Sequence, residues 1–428
     1  MSCAVRLVAT ISALCVLGAG LHAQPFSEVL MPYACTRPSD DALQDLQARR
    51  QKLEDEVKRI RDQNLRKSQE DLLDVLYQIE CWDREPATTR SVARPRSRER
   101  PGSKSTEVIE VTTYYATNRK QTSSAEPDKM YGSGFEGQSR YGRAVVTIPA
   151  THQPGNLELP SWWKLQREPD PNKHFVLKSV TPLTTDAAHE ELAQNTKALL
   201  VFVHGYNVGF AAAALRTAQM AHDFAFPGMA FFYSWPSANT VRAYWQDEEV
   251  AQRSERVFEQ LIEELSQLPA SAIYIVAHSM GSRIVGHALE RRVSQGKAIN
   301  HIAGLLLAAP DINADLFKEV IAPKLAAMHG TQTTIYASSS DLALRASEVV
   351  HGFRRVGETT GGVFTFEGLE TVDASNASAM MRDFGHFYLV DNPSVLRDIK
   401  VIIEKKLSAK LRGLLEVGTP PNSYYRLQ

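Results

Sequence analysis

The sequence predicts an α/β fold with a mostly parallel sheet covered by helices, and three observations predict it. Short continuous apolar runs recur from residue 107 onward, among them "ALLVFVHG", "MAFFYSW", "AIYIVAHS", "AGLLLAAPD", "TTIYASSSD" and "LETVD". Amphipathic stretches such as "AAAALRTAQMAHDF", "EEVAQRSERVFEQLIEELSQ" and "SRIVGHALERRVSQ" stand between them. Runs without polar alternation need cover on both faces, as strands of a parallel sheet have it. The third observation is that "VIEVTTYYATN", "RYGRAVVTIPA" and "HFVLKSVTPL" come first with no helix between them, so the sheet opens antiparallel.

The elements ahead of that domain follow in order. Residues 1–23 read as a signal peptide: Arg6 gives a positive start, "LVATISALCVLGAG" a short apolar core, and "LHA" a small residue before Gln24. That core is shorter than the roughly 20 residues of a spanning helix. The expectation is a cleaved leader and a periplasmic or secreted protein with no other transmembrane span. Residues 24–83 form a helical arm, with Leu43, Leu46, Leu53, Val57 and Ile60 at coiled-coil spacing. The phase breaks at Leu72, Val75, Leu76 and Ile79, which suits either a helical hairpin or an exposed helix that self-associates through residues 40–83. Cys35 and Cys81 are the cysteines left after leader removal, and only a hairpin brings them close enough to pair. Residues 84–106 are a Pro/Arg/Ser-rich linker, residues 107–412 the α/β domain, and residues 413–428 a C-terminal tail.

Composition narrows the function classes. Lys+Arg 48 against Asp+Glu 49 leaves a net charge of −1, which gives no global reason to expect nucleic acid or a membrane surface as partner. Two thiols make no metal cage, and no His/Cys cluster has ligand spacing, so neither metal nor cofactor is expected.

The chemistry centres on "YIVAHSMGSRIVGHAL". A strand ends at a serine and a helix starts at once, the context that holds a nucleophile on a strained corner above the sheet edge. Ala277 and Gly281 are small where strand and helix backbones crowd, although the first of these positions is more often glycine. The plain alternative is a serine helix cap. A nucleophilic Ser279 needs a base and an orienting acid, and in chains built this way the acid follows the serine and the histidine comes last. Asp341, just past "TTIYASSS", and His386, in "DFGHFYLVD", stand in that order. Asp311 after "LLLAAP" is the rival acid and His351 the rival base. His287 and His278 are placed to face away. The oxyanion needs two main-chain donors: Met280, next after the serine, and Tyr206 in "VFVHGYN", with His204 and Asn207 bracing that loop.

"VFVHGYNVGF", "FFYSWPSA", "AHSMGSR", "LLAAPDINADLF", "IYASSSDLALRAS" and "DFGHFYLV", with "YYATNR" and "YGRAVVTIP" upstream, resemble a bacterial α/β-hydrolase family of the esterase/lipase superfamily. That family has long been catalogued as a domain of unknown function, and the resemblance covers roughly residues 107–395. It implies an α/β-hydrolase fold with Ser279, Asp341 and His386 as triad. The expected activity is hydrolysis of carboxylic esters or thioesters, with a small-molecule or acylated-glycan ester as substrate. Trp235, Tyr244 and Trp245 are candidates to line an acyl pocket. The short stretch between Ala308 and Thr333 leaves little room for a lid, so short or bulky hydrophilic esters are favoured. A catalytically silent envelope-binding scaffold and an acyltransferase with the same triad are the alternatives.

Overall fold

A computed structural model of the chain describes Ala48 and residues 108–160, 169–194, 198–240, 243–297, 300–378 and 392–427. The leader, the linker, Cys35, Cys81 and His386 lie outside the described residues, as does the arm apart from Ala48.

Among the described residues eleven strands form one sheet in the order β10-β11-β9-β8-β7-β6-β4-β5-β1-β2-β3. In chain order they are β1 Ile109–Gln121, β2 Tyr131–Ile148, β3 Val176–Leu183, β4 Leu199–Val203, β5 Met229–Ser234, β6 Ile273–His278, β7 Ile302–Ala308, β8 Gln332–Ala337, β9 Glu370–Asp373, β10 Leu415–Val417 and β11 Tyr424–Arg426. From β1 across to β11 every neighbouring pair is parallel. β2 and β3 join antiparallel at one edge, as their helix-free succession predicts, and β10 joins antiparallel at the other.

The expectation of a C-terminal tail needs correction. Tyr425 and Arg426 pair with Val372 and Asp373, the Leu427 amide donates to Asp373 O at 3.0 Å, and Leu427 is buried. Residues 415–426 thus complete the sheet edge, covering main-chain groups of β9 that would otherwise need water.

Alternation sorts the apolar runs onto two faces. Leu199, Val201 and Val203 of β4, with Ile273, Ile275 and Ala277 of β6, meet the helices Tyr244–Leu265 (α3) and Gly281–Ser294 (α4). Leu200 and Phe202, with Tyr274 and Val276, meet Phe210–Asp223 (α2) and Pro393–Lys405 (α6) on the other face. Each fully buried valine, leucine, isoleucine or phenylalanine among these contributes about 1.5–3 kcal/mol. Local signals start the helices. Thr184 accepts the Ala187 amide to cap Thr185–Ala193 (α1), and Asn392 accepts the amides of Ser394 and Val395 to cap α6, with Pro393 at its first position.

Three short turns, Ala314–Leu316, Phe317–Ile321 and Ala322–Ala326, fill the link from β7 to β8, and Leu342–His351 (α5) follows β8. Among the described residues no helix is long and apolar enough to cross a membrane.

Candidate active site

β6 delivers Ser279 to the C-terminal edge of the sheet, where the chain turns abruptly into α4. Ser279 has φ 53°, the left-handed region that a non-glycine residue adopts only when its surroundings enforce it. The enforcement is visible. Its amide donates to Ala308 O at 2.8 Å, its carbonyl accepts the Ser282 amide at 2.9 Å, and Ser282 Oγ donates to Ala277 O at 3.0 Å. A methyl group on Gly281 would overlap the carbonyl oxygens of Val203 and His204, so the helix can start this close only on glycine. Ser279 is 3% exposed, and among the described residues its hydroxyl makes no hydrogen bond. Among the described residues the strained corner thus makes no structural use of the oxygen it holds up.

The loop after β4 lies against that corner. A Cβ on Gly205 would stand 2.9 Å from Ser279 Cβ and 2.8 Å from His278 Nδ1. Tyr206 comes next, and Asn207 is again left-handed, at φ 56°. Among the described residues the Met280 amide donates to no main-chain carbonyl. Buried polar groups hold the loop in place. Trp235 Nε1 donates to His204 O at 2.7 Å, and its indole stacks on the His204 ring with centroids 5.1 Å apart. Asp247 accepts the Asn207 amide at 3.2 Å and the Ala238 amide at 2.7 Å, joining the loops after β4 and β5. Arg119, also buried, donates to Val208 O at 2.7 Å, Ser237 O at 3.0 Å and Ser234 Oγ at 2.8 Å. Burial pulls its guanidinium down to about 9, so it stays charged at neutral pH. Burial also pulls His204 down to about 3, with the charge of Arg119 in the same sense, so this histidine is neutral and structural.

Comparison with known proteins settles the family. The family described as "Alpha/beta hydrolase of unknown function (DUF900)" matches residues 183–405, just over half of the chain. The chain belongs to this family. Among curated proteins none matches. Three solved structures bear some likeness to this hydrolase. An uncharacterized protein from Bacillus cereus ATCC 10987 is 13% identical over 50% of this chain and 61% of that one, with a TM-score of 0.30. An esterase of Pyrobaculum calidifontis is 10% identical over 70% and 85%, TM-score 0.30. Carboxyl esterase 2 of Tuber melanosporum is 10% identical over 72% and 88%, TM-score 0.32. Scores this low carry no argument, and the assignment rests on the family match.

In this α/β hydrolase the two candidate acids occupy different surroundings. Asp341 follows β8, two strands from β6 in the sheet, and is fully buried. Its Oδ1 accepts the Leu344 amide at 3.0 Å, so it does cap α5, as the plainer reading of its position foresees. Asp311 sits instead in a closed cluster. Tyr244 OH and Ser347 Oγ each donate to it at 2.6 Å, and Arg355 and Arg283 pair with it at 3.3 and 3.6 Å. Burial raises its carboxyl, but the two guanidinium groups outweigh that and hold it well below the usual carboxylate range. Arg283 continues to Glu248, which also meets His351 Nε2 at 3.1 Å. The rival acid and the rival base thus belong to one ion-pair network under α3, α4 and α5.

The pocket candidates separate as well. Trp235 is wholly buried, with its N–H on His204 O, so it braces the loop and does not face open space. Tyr244 is buried too, its hydroxyl on Asp311, although its ring meets that of Tyr206 edge-on at 5.2 Å. Trp245 is half-buried beside His351, centroids 5.2 Å apart, and its N–H has no partner among the described residues. Arg119, Asp247 and the Asp311 cluster escape sequence reasoning, because their partners come from five or more separate segments.

Two measurements probe this frame. Trp235→Phe leaves the His204 carbonyl without its donor, which should cost about 1–3 kcal/mol, read as a lower urea midpoint, together with reduced turnover as the loop loosens. For Glu248, burial pushes the carboxyl up, but the His351 hydrogen bond and the Arg283 charge bring it down to about 2, from an ordinary 4.5. A lowered folded value means that its stabilisation is complete above the ordinary range and disappears as the pH falls through about 2. Glu248→Gln should therefore flatten the stability curve between those two values, as measured by urea unfolding against pH.

Proposed function

We propose that this chain is an exported serine hydrolase of carboxylic esters or thioesters. Ser279 is the nucleophile, His386 the base, and Asp341 the acid that orients it. The observation that carries the reading is the left-handed Ser279 at a strand–turn–helix apex, its hydroxyl without a hydrogen bond among the described residues. In this mechanism His386 takes the proton as Ser279 Oγ attacks the carbonyl carbon. The Met280 and Tyr206 amides hold the oxyanion, and His386 returns the proton to the leaving group. Water, activated by the same imidazole, then cleaves the acyl-enzyme. The rigid loop after β4, held by Trp235, Asp247 and Arg119, supports pre-set donors that need no reorganisation.

Trp245, whose N–H has no partner among the described residues, is the pocket residue we retain from the aromatic segment. Short or bulky hydrophilic esters, including acylated glycans, are the substrate class. Export rests on the leader-like first 23 residues, and self-association is assigned to residues 40–83. A fluorophosphonate probe combined with a panel of esters of graded chain length tests the reading. Labelling of Ser279 with turnover of short esters supports it. No labelling favours the silent scaffold, and product shared with an added alcohol favours acyl transfer.

A further inference from the structure

His152, Glu158, His222 and Asp223 meet at the rim of the sheet opposite Ser279. Ile148, the end of β2, pairs with Ile109 at the start of β1, and β1 runs parallel to β5. The turn carrying His152 therefore stands at the N-terminal ends of the parallel strands, where Asp223 closes α2 ahead of β5. Ser279 follows the C-terminal end of β6.

The four side chains are arranged around His152. Its Nε2 lies 2.8 Å from Asp223 Oδ1 and its Nδ1 lies 2.7 Å from Glu158 Oε2. Asp223 Oδ2 accepts the Gly155 amide at 3.0 Å, which fixes the carboxylate. The His222 ring stands 5.5 Å from that of His152, and among the described residues neither of its nitrogens makes a hydrogen bond. One donor atom each from His152, His222 and Asp223 lie within 4.8 Å of one another.

We propose that His152 Nε2, one His222 nitrogen and one Asp223 oxygen form a site for a divalent transition metal of the zinc class, with Glu158 orienting His152. Donors around a tetrahedral ion at zinc–nitrogen distances stand about 3.4 Å apart. The three donors lie within 4.8 Å of one another, so a bound ion would draw in the partly exposed His222 and open the 2.8 Å His152–Asp223 pair. Two imidazoles and a carboxylate suit zinc, cobalt or nickel, whereas calcium and magnesium call for oxygen ligands. Glu158 on Nδ1 leaves Nε2 aimed at the metal, the carboxylate–histidine–metal arrangement that tunes such sites. A metal on Nε2 displaces to solvent any proton held there. Bound there, it staples the turn after β2 to the end of α2, far from the hydrolytic site.

The test uses tag-free, chelator-stripped full-length protein titrated with Zn²⁺ by calorimetry and with Co²⁺ by visible absorption. We expect one equivalent of Zn²⁺ bound with a raised Tm, and no competition from Mg²⁺. His222→Ala should weaken binding at least tenfold and abolish the Co²⁺ band. It leaves the His152–Asp223 pair intact, so its folding is not at risk from loss of that pair. Glu158→Gln should weaken binding by about 10–100-fold. No binding by the unmodified protein, or equal affinity in His222→Ala, overturns the site and leaves His152 as a hydrogen-bonded link between two carboxylates. Either result is independent of ester turnover at Ser279.

Discussion

Ser279→Ala should lower kcat on a short ester by about 10⁶-fold and abolish fluorophosphonate labelling, with Tm almost unchanged. On the proposed mechanism the loss is large because the base, the acid and the oxyanion donors all act on one attacking oxygen, so removing it idles all of them. Residual turnover of about 10³-fold over water is what an oxyanion hole and binding alone supply. Stability should hold because the hydroxyl makes no hydrogen bond among the described residues, and alanine tolerates φ 53° about as well as serine. Unchanged turnover in Ser279→Ala would put the chemistry elsewhere and end the proposal.

The paired variants Asp341→Asn and Asp311→Asn should fail in opposite ways. In the first, asparagine caps α5 as well as aspartate does, so the fold should survive. An amide cannot stabilise the imidazolium or enforce the right tautomer, and kcat should fall about 10⁴-fold. Asp311→Asn removes the charge that faces Arg283 and Arg355 in a buried cluster. That should cost about 3–5 kcal/mol of stability, seen as a lower denaturant midpoint, while turnover per folded molecule changes far less. If Asp311→Asn loses the greater turnover at full folding, the acid moves to Asp311.

Much of this architecture was legible beforehand. The central strands β4 and β6 announce themselves because a strand buried on both faces is apolar on both, as Val201, Phe202 and Ile275, Val276 are. The corner at Ser279 was legible for a related reason. Only glycine fits where residue 281 meets the carbonyls of Val203 and His204. β10 and β11 were missed. Three residues carry no periodicity, and "SYYRLQ" becomes a strand only because the edge of β9 is there to pair with it. The aromatic segment misled for the opposite reason. Trp235 has the composition of a pocket residue, but its position beneath His204 makes it a brace.

From residue order alone came the α/β-hydrolase domain, the sharp corner at Ser279 and the proposed order of acid and histidine behind it. These are properties of neighbouring residues and chain direction, which backbone sterics translate into structure locally. Folding in three dimensions decided that Asp311 joins Arg283, Arg355 and Tyr244 while Asp341 caps its helix, and that His152 meets Asp223 across 71 positions. Burial and charge pairing act through space. Their strength depends on which groups the packed sheet brings within a few ångströms, and a linear pattern of residue types does not encode that distance.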